Sequence, residues 1–212
     1  METVETESGF WLATNKRYYE EVGQHRLWFL GVLLQKCPLD LWIYQELIYR
    51  TRPDLIIETG TFHGGSALYL ASICELTGVG RVLTIDIKEP PHKLVHKRLG
   101  FVPGSSVDPI IVDHVQDQIR PGEKVMVILD SDHSKAHVLK ELELYSPFVT
   151  YGNYLIVEDT NINGHPVRSS YGPGPMEALE EWFRKQHKFA IDKRCEKFGI
   201  TCNPNGYLRR MS

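Results

Sequence analysis

The chain has 212 residues, 42% of them hydrophobic and 24% charged, and a formal net charge of -3. That composition builds one large globular core, and scattered Lys and Arg on a mildly acidic chain give no attraction to polyanions, so nucleic acid is not an expected partner. No apolar run approaches the ~20 residues that span a bilayer, and the opening METVETESGF lacks a basic and apolar leader, which predicts a cytoplasmic location.

No internal repeat or Gly/Ser linker divides the chain, so it reads as a single domain, with an N-terminal helical cap or oligomerisation segment at 1–50 and the core at 51–212. Tyr18 to Leu34 and Leu39 to Tyr49 carry apolar residues at helical spacing, broken at Cys37-Pro38. Trp28, Phe29, Trp42 and Tyr44 are expected to pack onto a sheet or a partner subunit, which predicts a homo-oligomer. From residue 54 the pattern changes. LIIE (55–58), RVLTID (81–86), PIIV (109–112), KVMVILD (124–130) and YLIVED (154–159) read as strands, and 64–77, a segment near 91–99 and 134–145 read as helices. Such alternation predicts an α/β fold, a mostly parallel sheet with helices on both faces. Cys37, Cys74, Cys195 and Cys202 form no CxxC pair and read as reduced, partly buried thiols.

Four of these runs close on acids, at Glu58, Asp86, Asp130 and the pair Glu158-Asp159. In open α/β sheets ligands bind beyond the carboxyl ends of the strands, so one rim collects these carboxylates. The turn from Glu58 through Gly60, Thr61, His63 and Gly64 to Ser66, with Asp86 one strand later, suits an adenosine cofactor. Glycines let the backbone approach a ligand, helix N-terminal amides hold a carboxylate, and the acid binds ribose hydroxyls. The spacing is not GxGxxG, which favours S-adenosylmethionine over a nicotinamide dinucleotide; a ligand-free βα turn is the bland alternative.

Asp130, Glu158 and Asp159 offer hard oxygen ligands from two strand ends, a set suited to Mg²⁺ or Mn²⁺, against the alternative of solvated loop acids. Asp130-Ser131-Asp132 lacks the glycine and glutamate of a calcium loop. His92 and His96, and His133 and His137, are spaced i,i+4, but neither pair carries the HExxH glutamate. His92, His96 and His137 read as solvated helix-face residues. His133, three residues past Asp130, is the candidate for catalysis.

The stretch from Leu30 through Lys36-Cys37-Pro38 to Glu46, with Glu58 to Ser66, Leu129 to His133, Val157 to Asp159 and Asn205 to Arg209, resembles the cephalosporin hydroxylase family, which includes rhamnosyl and other sugar O-methyltransferases. The likeness covers about residues 28 to 210. It implies a Rossmann-like class I methyltransferase fold, Mg²⁺ on Asp130, Glu158 and Asp159, and a saccharide acceptor. The arrangement is also similar to catechol O-methyltransferase, whose lysine base is replaced here by His133. No HxD or HxE occurs, which counts against a non-haem iron hydroxylase.

The resulting expectation is a metal-dependent S-adenosylmethionine O-methyltransferase acting on a small hydroxylated molecule. The cofactor's amino-acid end is placed near Thr61, His63 and Ser66, its ribose on Asp86 and its adenine near Asp113 and His114, with Asp130 beside it. A sugar hydroxyl is too weak an acid for a histidine of pKa ~6.5, so the metal carries the activation, and His133 or Asp132 accepts the proton. Thr160 to Pro175 is expected to form a lid bearing substrate contacts from His165, Arg168 and Tyr171. The rivals are a nicotinamide-dependent oxidoreductase, weakened by the lack of a Tyr-x-x-x-Lys pair, an antibiotic-pathway enzyme of the cephalosporin-hydroxylase type, and a non-enzymatic sheet protein.

Overall fold

The computed structural model describes residues 7–21, 27–91 and 95–212. Helix α1 (Glu7–Glu21) is followed by a hairpin of β1 (Leu27–Phe29) and β2 (Val32–Leu34), paired Leu27 to Leu34 and Phe29 to Val32. This corrects the single helix expected over Tyr18 to Leu34. Leu30 (φ 47°) and Gly31 (φ 82°) both occupy the left-handed region, the two-residue turn whose twist suits adjoining strands. Helix α2 (Pro38–Thr51) then starts at the Pro38 break, with proline in its first turn.

The core strands are β3 (Leu55–Thr59), β4 (Arg81–Asp86), β5 (Leu99–Pro103), β6 (Val125–Leu129), β7 (Tyr154–Val157), β8 (Phe189–Ile191) and β9 (Tyr207–Arg210). They form one sheet in the order β5-β4-β3-β6-β7-β9-β8, in which β9 pairs antiparallel with both neighbours. Helices α3 (Gly65–Thr77), α4 (Pro109–Asp117), α5 (Lys135–Tyr145) and α6 (Pro175–Phe183) complete the fold. Alternate strand residues serve opposite layers. Leu55 and Ile57 pack with Val138, Leu142 and Trp182, while Ile56 packs with Leu47, Leu70 and Cys74 on the other face. Each such fully buried aliphatic chain contributes about 1.5–3 kcal/mol.

PIIV is not a strand but the start of α4. Asp108 accepts from the Ile110 amide at 2.9 Å and Pro109 takes the first turn, a cap and a fixed φ that outweigh the β-branched run. Nor do residues 95–98 continue a helix; they lead into β5, with His96 Nδ1 accepting from the Arg98 amide at 3.2 Å. His92 lies outside the described residues. Tyr44 is buried and Phe29 meets the Tyr69 ring edge-on at 5.2 Å, whereas Trp28 and Trp42 remain exposed. All four cysteines are free. No described helix is long and apolar enough to cross a membrane.

Candidate active site

The strand order reverses between β3 and β6, and in open parallel sheets the crevice at that reversal is the ligand site. A cavity of about 620 Å³ opens there, between the hairpin, the β3–α3 turn and the ends of β4, β6 and β7. Gly60 makes the junction possible. Its φ is +86°, and a Cβ on it would stand 1.9 Å from the Asp130 carbonyl oxygen, so no side chain fits where the two strand ends touch.

On the β3–β4 side, the cavity is lined by Gly60, Thr61, Phe62, Ser66 and Asp86. Asp86 Oδ2 accepts from the Thr61 and Phe62 amides at 3.0 and 2.8 Å, and Oδ1 accepts from the Lys88 amide at 3.0 Å. Its carboxylate thus shapes the turn as well as facing the cavity. Glu58 is fully buried behind the turn, accepts from Thr84 Oγ1 at 2.7 Å and leaves Oε1 without a protein partner. Burial pushes its carboxyl up to about 7, against the pull of Lys36, Ser66 and Thr84. Gly64, at φ 87°, caps α3. Gly64 and His63 stand outside the cavity lining, His63 with its ring 4.3 Å from that of Phe62.

Asp113 and His114 are exposed on α4, away from the cavity, which removes them from the adenine position expected of them. That expectation came with the mistaken strand at 109–112. Gly104, Ser105 and Ser106 after β5, with Ser131 and His137, line the cavity on that side. His137 is no solvated helix-face residue. Its Nε2 lies 3.1 Å from Ser106 Oγ and 3.0 Å from Ser131 Oγ, and Ser131 donates to the buried Glu141 at 2.7 Å.

On the β6–β7 side, ligand atoms of Asp130, His133 and Asp159 all lie within 4.8 Å of one another, with His133 Nε2 3.1 Å from Asp159 Oδ2. Asp159 adopts φ 53°, and its amide donates to Asn203 Oδ1 at 3.0 Å, which holds the turn after β7 in that conformation. Glu158 points the other way. It is buried, accepting from Tyr44 Oη and Lys36 Nζ, both at 2.5 Å, and Asn203 Nδ2 donates to Tyr44 at 3.0 Å. Lys36 also donates to Asp130 Oδ2. The set expected from sequence, Asp130 with Glu158 and Asp159, is therefore gathered only in part: His133 stands in the cluster and Glu158 one layer behind it.

Burial raises all three carboxyl pKa values, and Lys36 opposes this in each, joined by His133 at Asp130 and Asp159. For Lys36 itself burial favours the neutral amine, but Asp130 and Glu158 overcome it and raise its pKa. A lysine so held does not serve as a base. Asp132 is exposed on the cavity rim, its carboxyl lowered by Ser134, whose amide donates to Oδ1 at 2.7 Å.

Of the residues expected on a lid, Arg168 lines the cavity and stacks its guanidinium over the Tyr171 ring at 5.0 Å. His165 turns away, with Nε2 2.9 Å from Glu177 Oε1 at the start of α6. Lys36, Tyr44 and Asn203 were missed as site residues in the sequence. For Lys36 and Tyr44 the only signal was the resemblance over Leu30 to Glu46, and Asn203 stood in none of its motifs; their partners lie 44 to 159 residues away.

A seven-stranded sheet with one reversed strand, read with a glycine turn and a cavity at its switch point, defines a Rossmann-like class I methyltransferase fold. The family model described as Rhamnosyl O-methyltransferase/CmcI matches residues 21–211. The chain belongs to that family and is an S-adenosylmethionine-dependent O-methyltransferase. It is 41% identical to a rhamnosyl O-methyltransferase of Mycobacterium tuberculosis, over 92% of this chain and 83% of the relative. Among solved structures it is similar to CmcI without ligands, at TM-score 0.70 and 19% identity over 92% of this chain and 83% of that one. A CmcI structure titled as holding Mg and SAM matches at TM-score 0.65 and 18% identity, over 91% and 78%.

Proposed function

We propose that this enzyme methylates a hydroxyl of a sugar, with a divalent cation held at the β6–β7 rim. The observation that carries the reading is the convergence of Asp130, His133 and Asp159 on one point of the cavity. The two carboxylates suit a cation such as Mg²⁺ or Mn²⁺, with His133 beside them as the nearest base, and the acids would repel one another without a positive charge. The sugar is supported by the 41% identical rhamnosyl O-methyltransferase, and the cation by the CmcI structure titled with Mg and SAM.

When bound, S-adenosylmethionine supplies an electrophilic methyl on a sulfonium and the cation supplies positive charge that favours an ionised hydroxyl. The chain's own residues orient and deprotonate. The β3–α3 turn, with Thr61 and Phe62 pinned by Asp86, seats the cofactor at the switch point. Asp130 and Asp159 hold the cation, with Asp159 fixed from behind by Asn203. His133 takes the hydroxyl proton. A neutral His133 that donates from Nε2 to Asp159 keeps Nδ1 as its basic nitrogen. Asp132, committed to the Ser134 amide, is the poorer base. Arg168 and Tyr171 form a polar and aromatic surface for the acceptor at the cavity mouth.

The test is methyl transfer from labelled S-adenosylmethionine to rhamnosides, other sugars and catechols, with and without EDTA. The reading expects sugar products, loss of turnover in EDTA and its return with Mg²⁺ or Mn²⁺. It also expects Asp159→Ala to lose more than the ~10–100-fold typical of outer-shell partners. Turnover indifferent to both EDTA and Asp159→Ala would remove the metal from the reading; transfer to catechols alone would remove the sugar.

A further inference from the structure

Lys36 has no part in the chemistry just described, yet its ammonium lies at the centre of the acidic rim. The residue sits between the hairpin and the proline start of α2, lines the cavity, and keeps its side chain only 3% exposed. Its Nζ donates to Asp130 on one side and to Glu158, at 2.5 Å, on the other. Asp130, Glu158 and Asp159 together bring three negative charges, and Lys36 returns one of them.

We infer that Lys36 is a built-in counter-ion and positioning residue of the metal site, bridging Asp130 and Glu158 and setting how tightly the site binds a divalent cation. The inference rests on the metal reading above. In the metal-free enzyme the ammonium keeps Asp130 and Glu158 side by side, where two bare carboxylates would separate or take up a proton. An incoming cation shares the Asp130 carboxylate with a fixed positive charge a few Å away, and at that range in a poorly solvated pocket the repulsion lowers its affinity. Tyr44, donating to the same Glu158 oxygen, keeps this bridge in one orientation. A merely structural ion pair would behave differently, because its loss would lower stability equally with and without metal.

The experiment uses full-length protein stripped with EDTA, as wild type, Lys36→Met and Lys36→Gln. The glutamine keeps a hydrogen-bonding end should the methionine variant fold poorly. Mn²⁺ alone is titrated by calorimetry, and melting temperatures are read with and without Mn²⁺. Both variants are expected to bind Mn²⁺ at least about tenfold more tightly than wild type. Their metal-free melting temperatures should fall, and Mn²⁺ should raise them by more than it raises the wild type's. Variants that bind Mn²⁺ no tighter than a wild type that does bind it would overturn the role of Lys36 while leaving the metal site standing. A wild type that binds no Mn²⁺ would overturn the metal reading and this inference with it.

Discussion

The two halves of the rim carry acids of the same kind and satisfy them by opposite means. At the β3–β4 end, Asp86 is met by three backbone amides and Glu58 by the Thr84 hydroxyl. At the β6–β7 end, Asp130, Glu158 and Asp159 are met by Lys36, Tyr44 and His133. Amide dipoles stabilise a carboxylate without supplying a whole charge, so the first half stays suited to a ligand with hydroxyls and an amino-acid end. The second half concentrates full charges on a small volume, which is the condition for holding a cation. On the proposed reading, one rim thus separates binding of the methyl donor from activation of the acceptor.

The harshest way to break this comparison is at the point where the halves touch. Gly60→Ala places a Cβ 1.9 Å from the Asp130 carbonyl in a backbone at φ +86°, so the β3 and β6 ends cannot both keep their places. We expect a loss of at least about 4 kcal/mol, a fall of roughly 10 °C or more in melting temperature. A variant that melts like the wild type would show that the junction is loose.

Within the charged half, His133→Ala is expected to lower kcat about 10²- to 10⁴-fold while calorimetric Mn²⁺ affinity stays near wild type, as for a general base. Should Mn²⁺ affinity collapse with kcat, His133 is the third ligand of its cluster instead. Asp86→Ala sharpens the other half. Removing the acceptor of the Thr61 and Phe62 amides should raise the KM for S-adenosylmethionine about tenfold and leave kcat at saturation nearly unchanged. A fall in kcat at unchanged KM would mean that this turn acts on the chemistry rather than on binding.

The smallest effect concerns the loop that leads from the charged half to α6. Burial alone would raise the Glu177 carboxyl, but the Gly174 amide, His165 and Asn163 outweigh it and bring it down to about 2. Because the folded value lies below the unfolded ~4.3, its contribution is present above the unfolded value and is lost as pH falls through that window toward 2. Melting curves of wild type and Glu177→Gln should therefore converge as the buffer is acidified from about pH 5. A gap that persists at the acid end would assign the effect to something other than this charge.

Much of the fold was legible because buried parallel strands are near-continuous apolar runs, as at 55–57, 125–129 and 154–157, and because 81–86 keeps Val82, Leu83 and Ile85 between polar ends. Strand β5 was not, since LGFVP carries a glycine and a proline and lies at the sheet edge. PIIV misled in the other direction, because its β-branched residues hid the Asp108-Pro109 helix start, and the error carried Asp113 and His114 into the site with it. The hairpin at 27–34 was lost to an apolar stretch that fits a helix period as readily as a strand period.

By itself the sequence determined that acids end the strands, that a glycine turn follows β3, and hence which rim binds and what class of chemistry it can do. These are local facts, written in residue type and spacing. Only the tertiary structure decided which acids meet which partners. Glu158 and Asp159 are neighbours in the chain, yet one turns to Lys36 and Tyr44 and the other to His133 and Asn203. The turn after β7 sends the two side chains to opposite sides, and what waits there comes from segments 114 and 122 residues away for Glu158, from 44 residues away for Asn203, and from the end of the neighbouring strand β6 for His133. Spacing along the chain holds no record of that pairing, because it is set by how the sheet brings those segments together.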